Sequence, residues 1–420
     1  MTRSFGYDNG ELYCEGVPLG ELAERYGTPL YVYSRRAIET RFRELDRAFE
    51  GQDRLIAYSV KANGNVSILR VLKELGAGAD IVSGGELYRA RLAGIPAERI
   101  VFSGVGKTRS EMATALEAGI YGFNVESEGE LRVLSEVASQ LGLRAPIALR
   151  INPDIESPTP HHYTRTGHRT AKFGIPSEEA LRLYRLAADL PGIEVRGIDV
   201  HIGSQIVDVE PYRAAFLHVL ELADTLGRQG IDLEYVDIGG GFGIAYTDDT
   251  RMASAAEYAD ALLPLLGERR LKLVLEPGRY VVGEAGVLIT RVLYLKDMGG
   301  KTFVITDAGM NDLLRPSHYS GYHEVEPVVQ VGDAPPVRVD VVGPVCETGD
   351  FLALDRTMPR PREGDLLAIR TVGAYGFSMA STYNARPRPA EVLVCGKEAR
   401  VIRRRETYED LVRGELDEGV

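Results

Sequence analysis

Leu55-Ile-Ala-Tyr-Ser-Val-Lys61 is an apolar run that stops on a charged residue. Its length and composition suit a buried strand, and its last residue puts chemistry at the strand's end. Seven further runs of this kind follow at intervals of about 20 to 45 residues, each closing on a polar or glycine-rich tip. With the first, the tips are Tyr58-Ser-Val-Lys61, Ala79-Asp80-Ile-Val-Ser83, Val101-Phe-Ser103, Phe123-Asn124-Val-Glu126, Leu149-Arg150-Ile-Asn152, Asp199-Val-His201-Ile-Gly-Ser204, Asp237-Ile-Gly-Gly-Gly-Phe-Gly243 and Leu275-Glu276-Pro-Gly-Arg279. Helix-patterned segments fill the gaps. Val66-Ser-Ile-Leu-Arg-Val-Leu-Lys-Glu-Leu75, for example, has apolar residues at three- and four-residue spacing and is closed by Gly76. Strand and helix alternate to about Arg279, as parallel-sheet connections require. The rhythm predicts an α/β chain built on a (β/α)8 TIM-like barrel with its chemistry on one rim.

A barrel takes roughly 250 residues, so a chain of 420 has room for a second core. From about Val282 the pattern changes to strand-like runs separated by turn residues: Gly286 to Leu295, Thr302 to Thr306, Val337 to Val342, Asp365 to Arg370 and Ala390 to Cys395. These predict a C-terminal all-β domain. The N-terminal segment, with Leu12-Tyr-Cys14 and a helix from Leu19 to Tyr26, lies outside the barrel rhythm and is expected to join it. The division expected is therefore 28–281 for the barrel and 1–27 plus 282–420 for the β domain. The tail after Tyr408 reads as a charged terminal helix.

Composition narrows the class of function. The hydrophobic fraction of 44% and charged fraction of 26% are those of a globular protein. A net charge of −12 argues against nucleic acid or an acidic membrane surface as partner, so an anionic substrate needs a locally basic pocket. Met1 to Gly20 has no apolar stretch behind basic residues, and no run approaches 18 apolar residues. The expectation is a cytoplasmic enzyme. Three scattered cysteines, Cys14, Cys346 and Cys395, fit neither a disulfide framework nor a metal site, and no metal is expected.

Of the chain's eight lysines, Lys61 alone closes a buried strand. Desolvation there lowers an amine's pKa and suits it to Schiff-base formation, although a lysine at a rim can also snorkel outward. Gly239-Gly-Gly-Phe-Gly243 lacks the glycine spacing of a dinucleotide fingerprint. It suits either a tight strand-to-helix turn or a nest of backbone amides for one phosphate, with the Ser204 hydroxyl beside it. His201 ends a strand at the mouth, where an imidazole serves the fold or covers an aromatic cofactor face. Glu276 is expected to pair either with an arginine such as Arg150 or with a pyridinium nitrogen. Taken together, these features call for a phosphorylated, aromatic, aldehyde-bearing cofactor, pyridoxal 5′-phosphate.

Tyr58-Ser-Val-Lys-Ala-Asn63, His201-Ile-Gly-Ser-Gln-Ile206, Gly239-Gly-Gly-Phe-Gly243, Glu276-Pro-Gly-Arg279, Asp307-Ala-Gly-Met-Asn-Asp-Leu-Leu-Arg-Pro316 and Gly343-Pro-Val-Cys-Glu-Thr-Gly-Asp350 resemble, in order and over nearly the whole chain, the motif set of diaminopimelate decarboxylase. That family has the alanine-racemase-like fold, a barrel followed by a β domain. The resemblance implies decarboxylation of meso-2,6-diaminoheptanedioate to L-lysine, the last step of lysine biosynthesis. It assigns the cofactor to Lys61, with His201 stacked on the ring and Glu276 at the pyridine nitrogen. The phosphate goes to Ser204, to Gly239, Gly240 and Gly241, and to the segment Glu276, Pro277, Gly278 and Arg279, while Tyr375 closes over the cofactor. Cys346, otherwise an inert small hydrophobe, becomes the acid that protonates Cα. Glu347 binds the distal ammonium, and Arg315 and Tyr319 hold the distal carboxylate with Arg279 and Tyr375; without the resemblance Arg315 is equally a surface ion pair. Thr348 stands where the family usually has serine, which retains the hydroxyl but restricts χ1. The resemblance further implies a homodimer with shared active sites. Related decarboxylases of ornithine, arginine or a carboxylated polyamine lack a distal amino-acid head in their substrates, so Arg315 with Glu347 discriminates against them. An alanine racemase has no use for the Cys346 segment, and a non-catalytic regulatory relative has none for Lys61.

Overall fold

Apolar runs bounded by capping residues become strands and helices where the sequence places them. The structure, a computed structural model, describes residues 4–155, 167, 171–247, 249–330 and 335–415. The chain divides into two compact units, one of residues 41–245 and 251–280, the other of residues 1–40, 246–250 and 281–420.

The first unit is a closed barrel of eight parallel strands: β1 (Arg54–Ser59), β2 (Gly78–Ile81), β3 (Ile100–Phe102), β4 (Gly122–Val125), β5 (Ala145–Asn152), β6 (Ile193–Val200), β7 (Tyr235–Asp237) and β8 (Lys272–Leu275). Each pairs with the next, and β8 closes on β1 through Leu273 opposite Arg54. These are the eight predicted runs. Leu55, Ala57, Val101, Ala148, Tyr235 and Val274 pack together as one buried cluster. A Cβ at Gly197 would stand 2.4 Å from the Tyr235 ring, so glycine there makes room for a tyrosine in the core. Capping side chains start the helices after the first strands. Asn65, Ser83, Thr108 and Ser127 accept hydrogen bonds from the backbone N–H groups of Ser67, Glu86, Glu111 and Glu130. Each such cap stabilises by about 1 kcal/mol.

The second unit is mostly β. Its main sheet runs Phe351–Pro359, Pro336–Val342, Lys301–Thr306, Gly286–Met298, Leu30–Ser34, Ala390–Cys395, Glu398–Arg403. Strand Leu366–Ile369 adds antiparallel to Gly286–Met298. Phe5–Asp8, Glu11–Cys14 and Val17–Pro18 form a small sheet, and Leu12, Cys14, Leu19 and Leu22 join Leu30, Val32, Val287, Ile289, Val392 and Val394 in one core. The N-terminal segment thus belongs to this unit, as the sequence suggests. The expected boundary at residue 28 is displaced. Leu30–Ser34 pairs antiparallel with Gly286–Ile289 and parallel with Ala390–Val394, so the barrel unit begins at residue 41. The physical reason is that Leu30-Tyr-Val-Tyr-Ser34 is buried along its whole length, and a fully buried strand reads the same in either kind of core.

Candidate active site

On the barrel rim, Lys61 lies in a 3-10 turn, Val60–Ala62, directly after β1. Its Nζ is 2.7 Å from Oδ2 of Asp80, a fully buried carboxylate at the end of β2 that also accepts from the Ser59 hydroxyl at 2.8 Å. Lys61 therefore neither snorkels freely nor stands alone.

Glu276, at the end of β8, is 4% exposed. Its Oε1 accepts from the Ser103 hydroxyl and from Nδ2 of Asn124, both at 3.2 Å. Burial, then the charges of Asp237 and Asp80, push its carboxyl well above the usual range, while Lys61 and Arg150 pull the other way. Arg150 is not its ion-pair partner, for Nη1 of Arg150 binds Glu126 at 2.9 Å. Oxygens of Glu276, Asp199 and Asp237 lie within 4.8 Å of one another, all buried. Burial likewise raises Asp199 and Asp237, each further raised by a carboxylate neighbour.

His201 follows β6. Burial, then the charges of Arg150 and Lys61, hold its imidazole well below the ordinary histidine range. Its Nδ1 accepts from the Gly240 N–H at 3.1 Å, which leaves the proton of this neutral ring on Nε2.

The glycine run supplies a close approach. A Cβ on Gly240 would stand 2.0 Å from the Glu276 carbonyl oxygen, and one on Gly241, at φ +99°, 2.2 Å from the Gly203 carbonyl. The nest is only partly available. The Gly239 N–H donates to Asp237 Oδ1 at 2.8 Å and that of Gly240 to His201, while among the described residues the Gly241 N–H has no acceptor. Beside it, Nη2 of Arg279 donates to the Ser204 hydroxyl at 3.2 Å. Pro277 accepts the Ser59 N–H, and Gly278 passes 3.0 Å, measured from its ideal Cβ, from Ser59 Cβ.

These groups fit pyridoxal phosphate. A strand-end amine suits the aldehyde, a buried carboxyl the ring nitrogen, a flat neutral imidazole the ring face, and Arg279, Ser204 and the Gly241 N–H the phosphate. Asp80, Asn124, Asp199 and Asp237 stand in the strand tips, but no motif there assigns them a role. The signal was there, since a polar side chain inside a barrel strand is costly unless it has a task.

The other candidates lie in the second unit. Cys346 and Glu347 are exposed on a turn whose shape is set by Asp350, whose carboxylate accepts the Met310 and Val345 N–H groups, each at 2.6 Å. The Cys346 N–H donates to Oδ1 of Asn384 at 2.8 Å, and the Tyr383 hydroxyl bonds to Glu347, raising the phenol's pKa. Thr348 is exposed beside them. Arg315 opens the short helix Arg315–Tyr319 and is buried, whereas Tyr319 is half-buried. Tyr375 is half-buried at φ +57°, a strained value for a residue with a Cβ. Cys14 is in the core and Cys395 is exposed. No helix among the described residues is long and apolar enough to cross a membrane.

Residues 35–283 match the family described as pyridoxal-dependent decarboxylase, pyridoxal binding domain. The chain is 51% identical to diaminopimelate decarboxylase of Aquifex aeolicus over 411 residues, covering 98% of this chain and 97% of that one. It is 50% identical over 412 residues to the Pseudomonas aeruginosa protein of the same name, with 98% of each chain covered. The crystal structure of diaminopimelate decarboxylase from Helicobacter pylori complexed with L-lysine superposes with a TM-score of 0.91 at 44% identity, covering 94% of this chain and 98% of that one.

Proposed function

The chain belongs to the diaminopimelate decarboxylases, and on that premise we propose which of its residues remove the D-centre carboxylate of meso-2,6-diaminoheptanedioate to leave L-lysine and carbon dioxide. Pyridoxal 5′-phosphate, the cofactor, supplies a sink for the electron pair left at Cα when carbon dioxide departs.

Lys61 would hold the cofactor through its aldehyde. Asp80, whose Oδ2 is 2.7 Å from Nζ, holds the Lys61 amine at the rim. Glu276, raised by burial and by its acidic neighbours, is a poor anion alone and a good one opposite a cationic ring nitrogen. His201 covers the ring as a neutral imidazole and adds no positive charge of its own. Arg279, Ser204 and the Gly241 N–H would hold the phosphate, with Gly239, Gly240, Pro277 and Gly278 shaping the approach, and the family resemblance assigns Tyr375 to the same cofactor.

Cys346 returns a proton to Cα, Glu347 takes the distal ammonium, and Arg315 with Tyr319 takes the distal carboxylate. Exposure of the Cys346 turn supports a homodimer in which it serves the partner's barrel. The setting proposed is the cytoplasm.

The observation that carries the reading is the strand-end Lys61–Asp80 pair on the same rim as Glu276 and neutral His201. Borohydride reduction of the yellow holoenzyme followed by peptide mapping tests it. Label is expected on Lys61, and label on another lysine, or on none, overturns the assignment.

A further inference from the structure

Arg315 does not hold its guanidinium in place alone. His323, four residues past the helix Arg315–Tyr319, is fully buried. Its Nδ1 lies 2.8 Å from the Arg370 carbonyl oxygen and its Nε2 2.8 Å from Nη1 of Arg315. A carbonyl only accepts and a guanidinium only donates, so the two contacts fix the tautomer. Nδ1 carries the proton, Nε2 offers its lone pair to Arg315, and the ring is neutral. Tyr246 packs against both partners. Its ring meets the imidazole edge-on with centroids 5.4 Å apart and lies 4.7 Å from the Arg315 guanidinium carbon. One N–H of the fork is thereby committed to the imidazole, and the guanidinium carbon is held over the Tyr246 ring. Since a bidentate carboxylate contact depends on the plane of the fork, fixing that plane fixes the direction from which a carboxylate is accepted.

We propose that His323, through its neutral Nε2, with Tyr246 beneath, is the positioning residue that orients Arg315 and so sets selectivity for a ligand carrying the distal carboxylate. The proposal rests on Arg315 as the distal-carboxylate contact. Leucine at position 323 fills the space but offers no acceptor, so the Nη1 hydrogen bond that orients the fork is lost. Glutamine places an amide oxygen where Nε2 stood.

Two ligands separate orientation from general damage. L-lysine retains the distal amino-acid head, whereas 1,5-diaminopentane has the same chain and both amines but no carboxylate. Inhibition constants for both are measured with the holoenzyme and its variants. His323→Leu is expected to weaken L-lysine about tenfold or more and to raise KM for diaminopimelate by a similar factor, with a smaller change in kcat. 1,5-Diaminopentane should bind as before, and His323→Gln should recover most of the loss. Tyr246→Leu, which leaves the buried imidazole in place, should give the same selective loss in smaller measure, and it stands in if His323→Leu does not fold. Combined with Arg315→Ala, His323→Leu should add nothing. Equal weakening of both ligands, or no change in either when Arg315→Ala does lose L-lysine selectively, overturns the role of His323. An Arg315→Ala enzyme that keeps its L-lysine affinity overturns instead the assignment of Arg315.

Discussion

Replacing Gly240 by alanine tests whether the glycine run is there to let two backbones meet. The new Cβ would stand 2.0 Å from the Glu276 carbonyl oxygen, an atom of the main chain with no rotamer to escape into, against the 3.4 Å at which such contacts become ordinary. The ends of β7 and β8 must part by more than an ångström. That opens the Glu276 N–H to Gly239 carbonyl bond, 2.8 Å, and strains the Tyr212 hydroxyl to Gly240 carbonyl bond, also 2.8 Å. Losing one buried hydrogen bond and weakening a second costs about 2–4 kcal/mol. For a unit of this size each kcal/mol lowers Tm by about 2–4 °C, so a drop of roughly 5–15 °C is expected. Because the same shift moves Glu276 and the His201 contact, the dissociation constant for pyridoxal phosphate should rise about tenfold or more. Thermal melts of the apoprotein and a visible-absorbance titration with the cofactor measure both. Gly129→Ala is the control. It lies in the helix Glu128–Leu141 with nothing within 4 Å of its Cβ and should stabilise by about 0.5–1 kcal/mol. Wild-type melting and cofactor affinity in Gly240→Ala would refute the reasoning.

Two further outcomes follow from the geometry. Burial, reinforced by Asp80 and opposed by the Val82 N–H, Lys61 and Arg89, pushes the Glu86 carboxyl up to about 7. A carboxyl raised in the folded state favours folding while protonated and loses that contribution as pH rises from about 4.5 through about 7. Glu86→Gln should therefore melt higher than the wild type at pH 8 and equally at pH 5, and the reverse order would count against the burial argument. Cys346→Ala should keep its cofactor yet slow product formation by about 10²–10⁴-fold. Mixed with inactive Lys61→Ala under conditions of subunit exchange, it should regenerate about a quarter of wild-type activity, because half the molecules become heterodimers with one intact site each. No recovery after verified exchange would dispose of the shared site.

The barrel was legible because each strand is short, apolar and stopped by a chemically distinct tip, so eight tips gave eight strands. The same logic failed at Leu30–Ser34, whose neighbours in the β sheet are more than 250 residues downstream and leave no local trace. Phe351–Pro359 and Glu398–Arg403 escaped notice because their partly exposed, charged faces break the apolar pattern. Lys61, His201 and Glu276 were visible as strand ends. The pairings were not: Asp80 for Lys61, and Ser103 and Asn124 rather than Arg150 for Glu276, depend on which tips become neighbours when the barrel closes. His323 carried no sequence signal, since it sits in a loop and acquires its role only from the carbonyl and guanidinium brought to its two nitrogens.

The carboxyls inside the barrel link site and stability. Asp80 is matched by Lys61 and Glu126 by Arg150, but Asp199, Asp237 and Glu276 crowd together with no ion-pair partner among the described residues, and Asp199 Oδ1 is buried without a hydrogen bond. A core selected for stability alone would replace such a trio with apolar side chains. Each raised carboxyl favours the neutral form, which lessens the repulsion but leaves the site short of the anion that a cationic ring nitrogen requires. A cation delivered beside Glu276 reverses that balance, turning mutual repulsion into attraction, and binding to the folded chain alone stabilises it by mass action. On the proposed placement of the ring nitrogen at Glu276, the acid surplus is one half of a charge pair whose other half arrives with the cofactor, so that cofactor affinity and barrel stability measure the same electrostatic term.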